Sequence, residues 1–232
     1  MSFRAKVTAI AVTAAACVVL APAAMASSGP VQVTGKQLKS ALLPASDFLP
    51  GYRVDGEDDS GRNLEHITLF KVPSMSCQNF WLVVGVVGGV GETAFARDLI
   101  DTKSTSVTVV ENFTQIVYQF ASTHAAASFY SQLNAKYRSC RTLTQSDGAG
   151  GSLRRTVRSQ SKRRVGGHQA VQVVESLSDS KIVGPPVLTY MLWTIDGTDV
   201  YMISTMPLSI PSPRPAQSSL TLKLIARVSH LR

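Results

Sequence analysis

The sequence predicts an α+β domain built on an antiparallel sheet flanked by helices. Strand-like and helix-like runs come in separate blocks rather than alternating, which argues against a parallel βαβ sheet. Gln115, Val117 and Gln119 alternate with Ile116, Tyr118 and Phe120, the period-two pattern of a strand with one buried face. Near the C-terminus, Asp196-Gly197-Thr198-Asp199 separates two apolar β-rich runs and is a hairpin signal.

The chain opens with a signal-peptide pattern over residues 1–26. Arg4 and Lys6 precede an apolar run, Val7 to Leu20, of about 14 residues, too short to span a bilayer. Pro22 breaks the run and Ala24-Met25-Ala26 is a small-x-small cleavage site, so an exported, extracellular protein beginning at Ser27 is expected. Cys17 follows Ala14-Ala15-Ala16, so a membrane-anchored lipoprotein is the alternative; the apolar residues that continue past Cys17 favour simple cleavage. Removing the segment lowers the formal charge of +8 to about +6 on a body of one-domain length. A basic excess outside the cell suits wall polymers or anionic lipid headgroups rather than nucleic acid.

Residues 27–34 are small and polar, a disordered leader, and the domain is expected over residues 35–232. Gly35 to Leu43 has helical spacing at Leu38, Leu42 and Leu43 and stops at Pro44. Pro50-Gly51 reads as a turn and Asp55 to Arg62 as an exposed loop. Ser74 to Leu82 reads as a short helix turning Cys77 and its aromatics inward, followed by the Gly85 to Gly91 loop. Val107–Val110 and Thr114–Phe120 are β-rich. Ser122, or Thr123, can cap a helix with Ala126, Phe129, Tyr130, Leu133 and Tyr137 on one stripe, ending at Cys140. After the break at Gly148–Gly151, strands are expected near Leu153–Arg158, Gln169–Glu175, Val187–Ile195 and Val200–Thr205. A proline-rich linker, Pro207 to Pro215, leads to a last helix with Leu220, Leu224, Val228 and Leu231 on one face and Lys223 and Arg227 off it.

No catalytic constellation emerges. The Gly85 to Gly91 run ends in Glu92-Thr93, an anion where a phosphate would sit, and lacks the Lys-Ser/Thr of a phosphate loop. His66, His124, His168 and His230 stand alone in their segments, without the paired spacing of a zinc site, and no Gly-x-Ser-x-Gly elbow anchors a triad. No metal or cofactor is expected. His168 reads as a hydrogen-bonded structural residue at the start of a strand. Cys77 and Cys140, an even pair in an oxidising compartment, are expected to form a disulfide; a metal site or two inert thiols are the alternatives. Arg154, Arg155, Arg158, Lys162, Arg163 and Arg164 form the sharpest charge cluster, with no carboxylate among them. It is either a solvated hairpin or an anion-binding surface for a polymer or lipid. In a strand, Arg154 and Arg158 would share one face and Arg155 the other.

Several segments together resemble the extracellular sensor domain of PknH-type receptor serine/threonine kinases. They are Ala41-Leu42-Leu43-Pro44 with Asp47-Phe48 and Gly51-Tyr52; Met75-Ser76-Cys77 with Phe80-Trp81; and Val117 to Phe120 leading into Ala126 to Phe129. Val165-Gly166-Gly167-His168-Gln169-Ala170, the Asp196 to Val200 hairpin and the final helix complete the set. The resemblance implies a single domain with a cleft for a ligand, and no catalytic residues. The sequence departs from the kinase pattern in lacking a kinase domain and a transmembrane helix, and in having one disulfide where those sensors have two. The expected function is therefore a non-enzymatic sensor-like domain binding a small molecule or an envelope component. A secreted hydrolase, or a surface interaction protein using the basic cluster, is the alternative.

Overall fold

The structure is a computed structural model that describes residues 33, 35–48, 52–58, 76–78, 80, 93–101, 112–146, 150–181, 184–206 and 216–232. The expected signal segment, Cys17, the Gly85–Gly91 run, the Val107–Val110 strand and the proline-rich linker lie outside these residues.

Eight strands form one sheet: β1 (Tyr52–Asp58), β2 (Thr93–Asp101), β3 (Asn112–Gln119), β4 (Thr142–Ser146), β5 (Ser152–Val165), β6 (His168–Asp179), β7 (Val187–Asp196) and β8 (Asp199–Met206). Their spatial order is β1-β2-β3-β8-β7-β6-β5-β4, and every pairing is antiparallel. Among the described residues three continuous α-helices accompany the sheet: α1 (Gly35–Ala41), α2 (Thr123–Ser139) and α3 (Gln217–Ser229). The expected α+β class with an antiparallel sheet is the observed one.

Helix α2 packs on one face. Ser122 is its N-cap, its hydroxyl accepting from the Ala125 N–H at 3.1 Å. Ala126, Phe129, Tyr130, Leu133 and Tyr137 are buried against Ile116, Tyr118, Val171, Val173, Met191 and Trp193. Helices α1 and α3 cover the opposite face, where Leu38, Leu42, Leu43, Leu220, Leu224 and Val228 meet Phe113, Val117, Tyr201 and Ile203.

This two-sided cover corrects the one-sided reading of β3. Gln115 and Gln119 are as buried as Ile116 and Tyr118. Their amides satisfy backbone that would otherwise be stranded between sheet and helix. The Leu43 N–H donates to Gln115 Oε1 at 2.7 Å and Gln115 Nε2 donates back to the Leu43 carbonyl at 2.8 Å. The Val33 N–H donates to Gln119 Oε1 at 3.0 Å. Arg227, expected to be merely off the apolar face of α3, donates to the Ala41 and Ser40 carbonyls at 2.8 and 2.9 Å and so caps the end of α1.

Four further readings are corrected. Residues 55–58, expected in a loop, belong to β1. Strands β2 and β4, absent from the sequence reading, pair with β3 and β5. Strand β5 runs on to Val165, so Lys162, Arg163 and Arg164 are strand residues. Cys77 is exposed rather than turned inward, although Phe80 is buried.

Candidate functional site

The shape of the site depends on a bulge in β5. Val157 pairs with Glu175 and Ser159 with Val174, so Arg158 is an extra residue between two registers. An extra residue reverses which side of the strand the following side chains occupy. Before the bulge Arg155 and Val157 face α2. Beyond it Gln160, Lys162 and Arg164, paired with Val173, Val171 and Gln169, share that face. Arg141 marks the bulge by donating to the Val157 carbonyl at 2.8 Å.

The basic cluster is thereby divided. Arg155 lies 3.8 Å from the Glu175 carboxylate, Arg158 donates to the Ser176 hydroxyl at 2.7 Å, and Arg163 donates to Gln172 Oε1. Arg154 is exposed and directed, like Arg158, to the face opposite Arg155, as strand alternation predicts. Lys162 and Arg164 instead border a cavity of about 660 Å³ between α2 and the β5–β7 end of the sheet. Its floor is apolar, from Tyr130, Val171 and Ile195, and α2 adds Asn134 and Arg138. A side recess of about 220 Å³ contains Arg141 and Gln160 and shares Asn134, Arg138 and Lys162 with the main cavity. Gln160 Nε2 donates to the Asn134 carbonyl at 3.1 Å, tying β5 to α2 at the junction.

Arg138 and Arg141 were absent from the cluster read in the sequence, because a local charge run was the signal sought. The signal for Arg138 was helical: Tyr130, Asn134 and Arg138 stand at i, i+4, i+8, along one edge of the buried stripe. Nothing local announces Arg141.

On the α2 face of β6, Glu175 is 3% exposed, and its Oε1 has no hydrogen-bond partner among the described residues. Burial pushes its carboxyl up to about 7, with Arg155 pulling the other way. At the β7–β8 turn Asp199 is fully buried and bonded to Tyr201 and Arg232, the latter at 2.5 Å. Burial raises its pKa, opposed by Arg232 and by hydrogen bonds from Tyr201 and Gln119. His168, expected to be structural, begins β6 with Nδ1 3.4 Å from Asp196 Oδ1 at the end of β7. Among the described residues no group of three or more His, Cys, Asp or Glu is placed to hold a metal.

The Cys77–Cys140 disulfide is present, with Cα atoms 5.2 Å apart. It fixes the 76–80 segment to the end of α2, and Phe80 packs edge-on against Tyr137 with ring centroids 5.0 Å apart.

Residues 33–184 match the family model described as the PknH-like extracellular domain. The chain belongs to this family. A crystal structure of the extracellular domain of PknH from Mycobacterium tuberculosis shares the PknH-like fold, with a TM-score of 0.50 at 14% identity, covering 86% of this chain and 98% of that one. Comparison with curated protein sequences finds no match. Strands β7 and β8 and helix α3 lie beyond the family match, yet β8 sits between β3 and β7 in the middle of the sheet. The PknH-like domain is of an extracellular, sensor type, and no described helix is long and apolar enough to cross a membrane.

Proposed function

We propose that this PknH-like domain is an exported, non-enzymatic, sensor-like module that takes its ligand in the cavity between α2 and the β5–β7 end of the sheet. The observation that carries the reading is the cavity itself. Its volume of about 660 Å³ falls in the range of small-molecule sites, roughly 300–1,000 Å³, and it joins an apolar floor to a few polar groups on its walls. Those walls belong to rigid elements: α2 is capped, latched by Gln160 and held at its end by the disulfide. Charge on the walls comes from Arg138, Lys162 and Arg164, which can bind and orient a ligand, whereas hydrolysis calls for a nucleophile and a base within hydrogen-bond reach.

Native mass spectrometry of protein purified from its own host tests the proposal. Ala127 is an exposed residue of α2 on the cavity wall, so Ala127→Trp fills the cavity without entering the core. The expected result is a retained small molecule that Ala127→Trp abolishes while the fold is kept. A retained molecule that survives Ala127→Trp, or turnover of a generic ester by the wild type, would overturn it.

A further inference from the structure

We infer that the ligand of this cavity is an anionic amphiphile, with a phosphate- or sulfate-bearing head and an apolar body. The inference rests on the reading of the cavity as the ligand site and concerns what that site selects.

Of the cations on β5, Arg155 is paired with the Glu175 carboxylate, while Arg158 and Arg163 donate to the neutral Ser176 and Gln172 side chains on the face away from α2. Among the described residues Arg138 donates through its Nε to the Asn134 carbonyl at 3.3 Å, and Arg164 through one terminal nitrogen to the Gly167 carbonyl at 3.0 Å. Both acceptors are neutral, so the guanidinium charges remain uncompensated and keep further donors for an anion. Lys162 lies between them on the cavity wall. Among the described residues no carboxylate lines either the cavity or its recess, and the recess adds Arg141. Three or four cations without an anion form a site for a group carrying more than one charged oxygen.

The apolar half of the ligand follows from the floor. Tyr130, Val171 and Ile195 present ring and aliphatic surface beneath the cationic rim. Tyr130 is 7% exposed, and its hydroxyl is turned toward the Asn134 side chain, which also lines the cavity. A long polyanion fits less well, because the bulge sends Arg154 and Arg158 away from Lys162 and Arg164 and breaks a continuous basic stripe.

Titration calorimetry of the mature chain with octyl phosphate, octyl glucoside and inorganic phosphate tests this. Octyl phosphate should bind at least about tenfold tighter than either partial probe, the equivalent of one charge-assisted contact. Lys162→Gln with Arg164→Gln should weaken it about tenfold or more and leave octyl glucoside unchanged. Arg154→Gln with Arg158→Gln removes the same charge from the other face and should have no effect. Equal affinity for octyl glucoside and octyl phosphate overturns the anionic head, and equal affinity for inorganic phosphate overturns the apolar body; in both cases the cavity still binds. If no probe binds yet the host-derived protein retains a neutral molecule sensitive to Ala127→Trp, the ligand class is wrong and the cavity reading stands. If neither is seen, both fall. Co-sedimentation with phosphatidylglycerol vesicles separates a monomeric ligand from a membrane surface. Loss of vesicle binding in the Arg154/Arg158 pair, but not in the Lys162/Arg164 pair, would move the anion site to the opposite face and overturn the inference.

Discussion

Glu175 illustrates how burial sets the chemistry of a single residue. It stands on the α2 face of β6, paired with Val157 at the bulge, among aromatic side chains, and Arg155 is its nearest cation. Its folded pKa of about 7 lies above the ordinary glutamate value of 4.5, so the folded state holds the proton more tightly than the unfolded chain. The stability this contributes is complete below about 4.5 and is lost as pH rises through about 7. The full difference is on the order of 3 kcal/mol at one pKa unit per ~1.4 kcal/mol. Asp199 is displaced in the same direction, with Arg232 limiting the shift. Chemical unfolding at pH 5 and pH 8 should therefore show a less stable protein at pH 8. Glu175→Gln should remove most of that difference by raising stability at pH 8, with little change at pH 5. An unchanged pH dependence in the variant would place the effect elsewhere.

The β5–β6 hairpin is the element on which the site depends. Gly166 and Gly167, both at positive φ (56° and 89°), make the two-residue turn between Val165 and His168 that sets the register of both strands. The two glycines differ in surroundings. A Cβ on Gly166 would collide with the Leu222 side chain of α3, whereas one on Gly167 would meet nothing within 4 Å. Gly167→Ala should cost only the backbone strain, about 1 kcal/mol. Gly166→Ala should cost more, and Leu222→Ala should recover the excess, since Leu222 is one of the few large apolar side chains left exposed. Thermal melts of the two single variants and the Gly166→Ala/Leu222→Ala double variant check this. Equal losses for the two glycines would show that α3 does not press on the turn. Asp196-Gly197-Thr198-Asp199 forms the second turn that was expected, and it places Asp196 directly opposite Asp199. Like charges in that position repel. Here each has its own cation or imidazole, Arg232 for Asp199 and His168 for Asp196.

On the scale of the whole molecule, the disulfide joins positions 63 residues apart across β2, β3 and α2. Closing a loop of that size constrains the unfolded chain by about 4 kcal/mol on the chain-entropy account. The bond also holds Phe80 on Tyr137, so the aromatic core beneath α2 is tied to it. Cys77→Ser with Cys140→Ser should lower the unfolding free energy by about 4 kcal/mol in denaturant titrations. A loss below about 1 kcal/mol would mean that packing of the 76–80 segment is sufficient without the bond.

The sequence by itself determined the class, the three helices, the two C-terminal strands and the cysteine pair, because each is announced by residues close together in the chain. The stripe from Ala126 to Tyr137, the Ser122 cap and the Asp-Gly turn are local signals whose physics is complete within a few residues. The family was legible for a related reason: the order of such segments along the chain is retained even where each is weak. Tertiary structure alone decided the rest. Gln115 and Gln119 look like the wet face of a strand until α1 and α3 cover them and supply backbone partners. Strands β1, β2 and β4 carry little periodicity, and it is their pairing in the sheet that makes them strands. The cavity required a bulge at Arg158 to reverse the faces of β5, together with α2 to bring Arg138 across from Lys162 and Arg164. A charge run read along the chain counts cations but does not contain the register that sorts them, since register is a relation between strands.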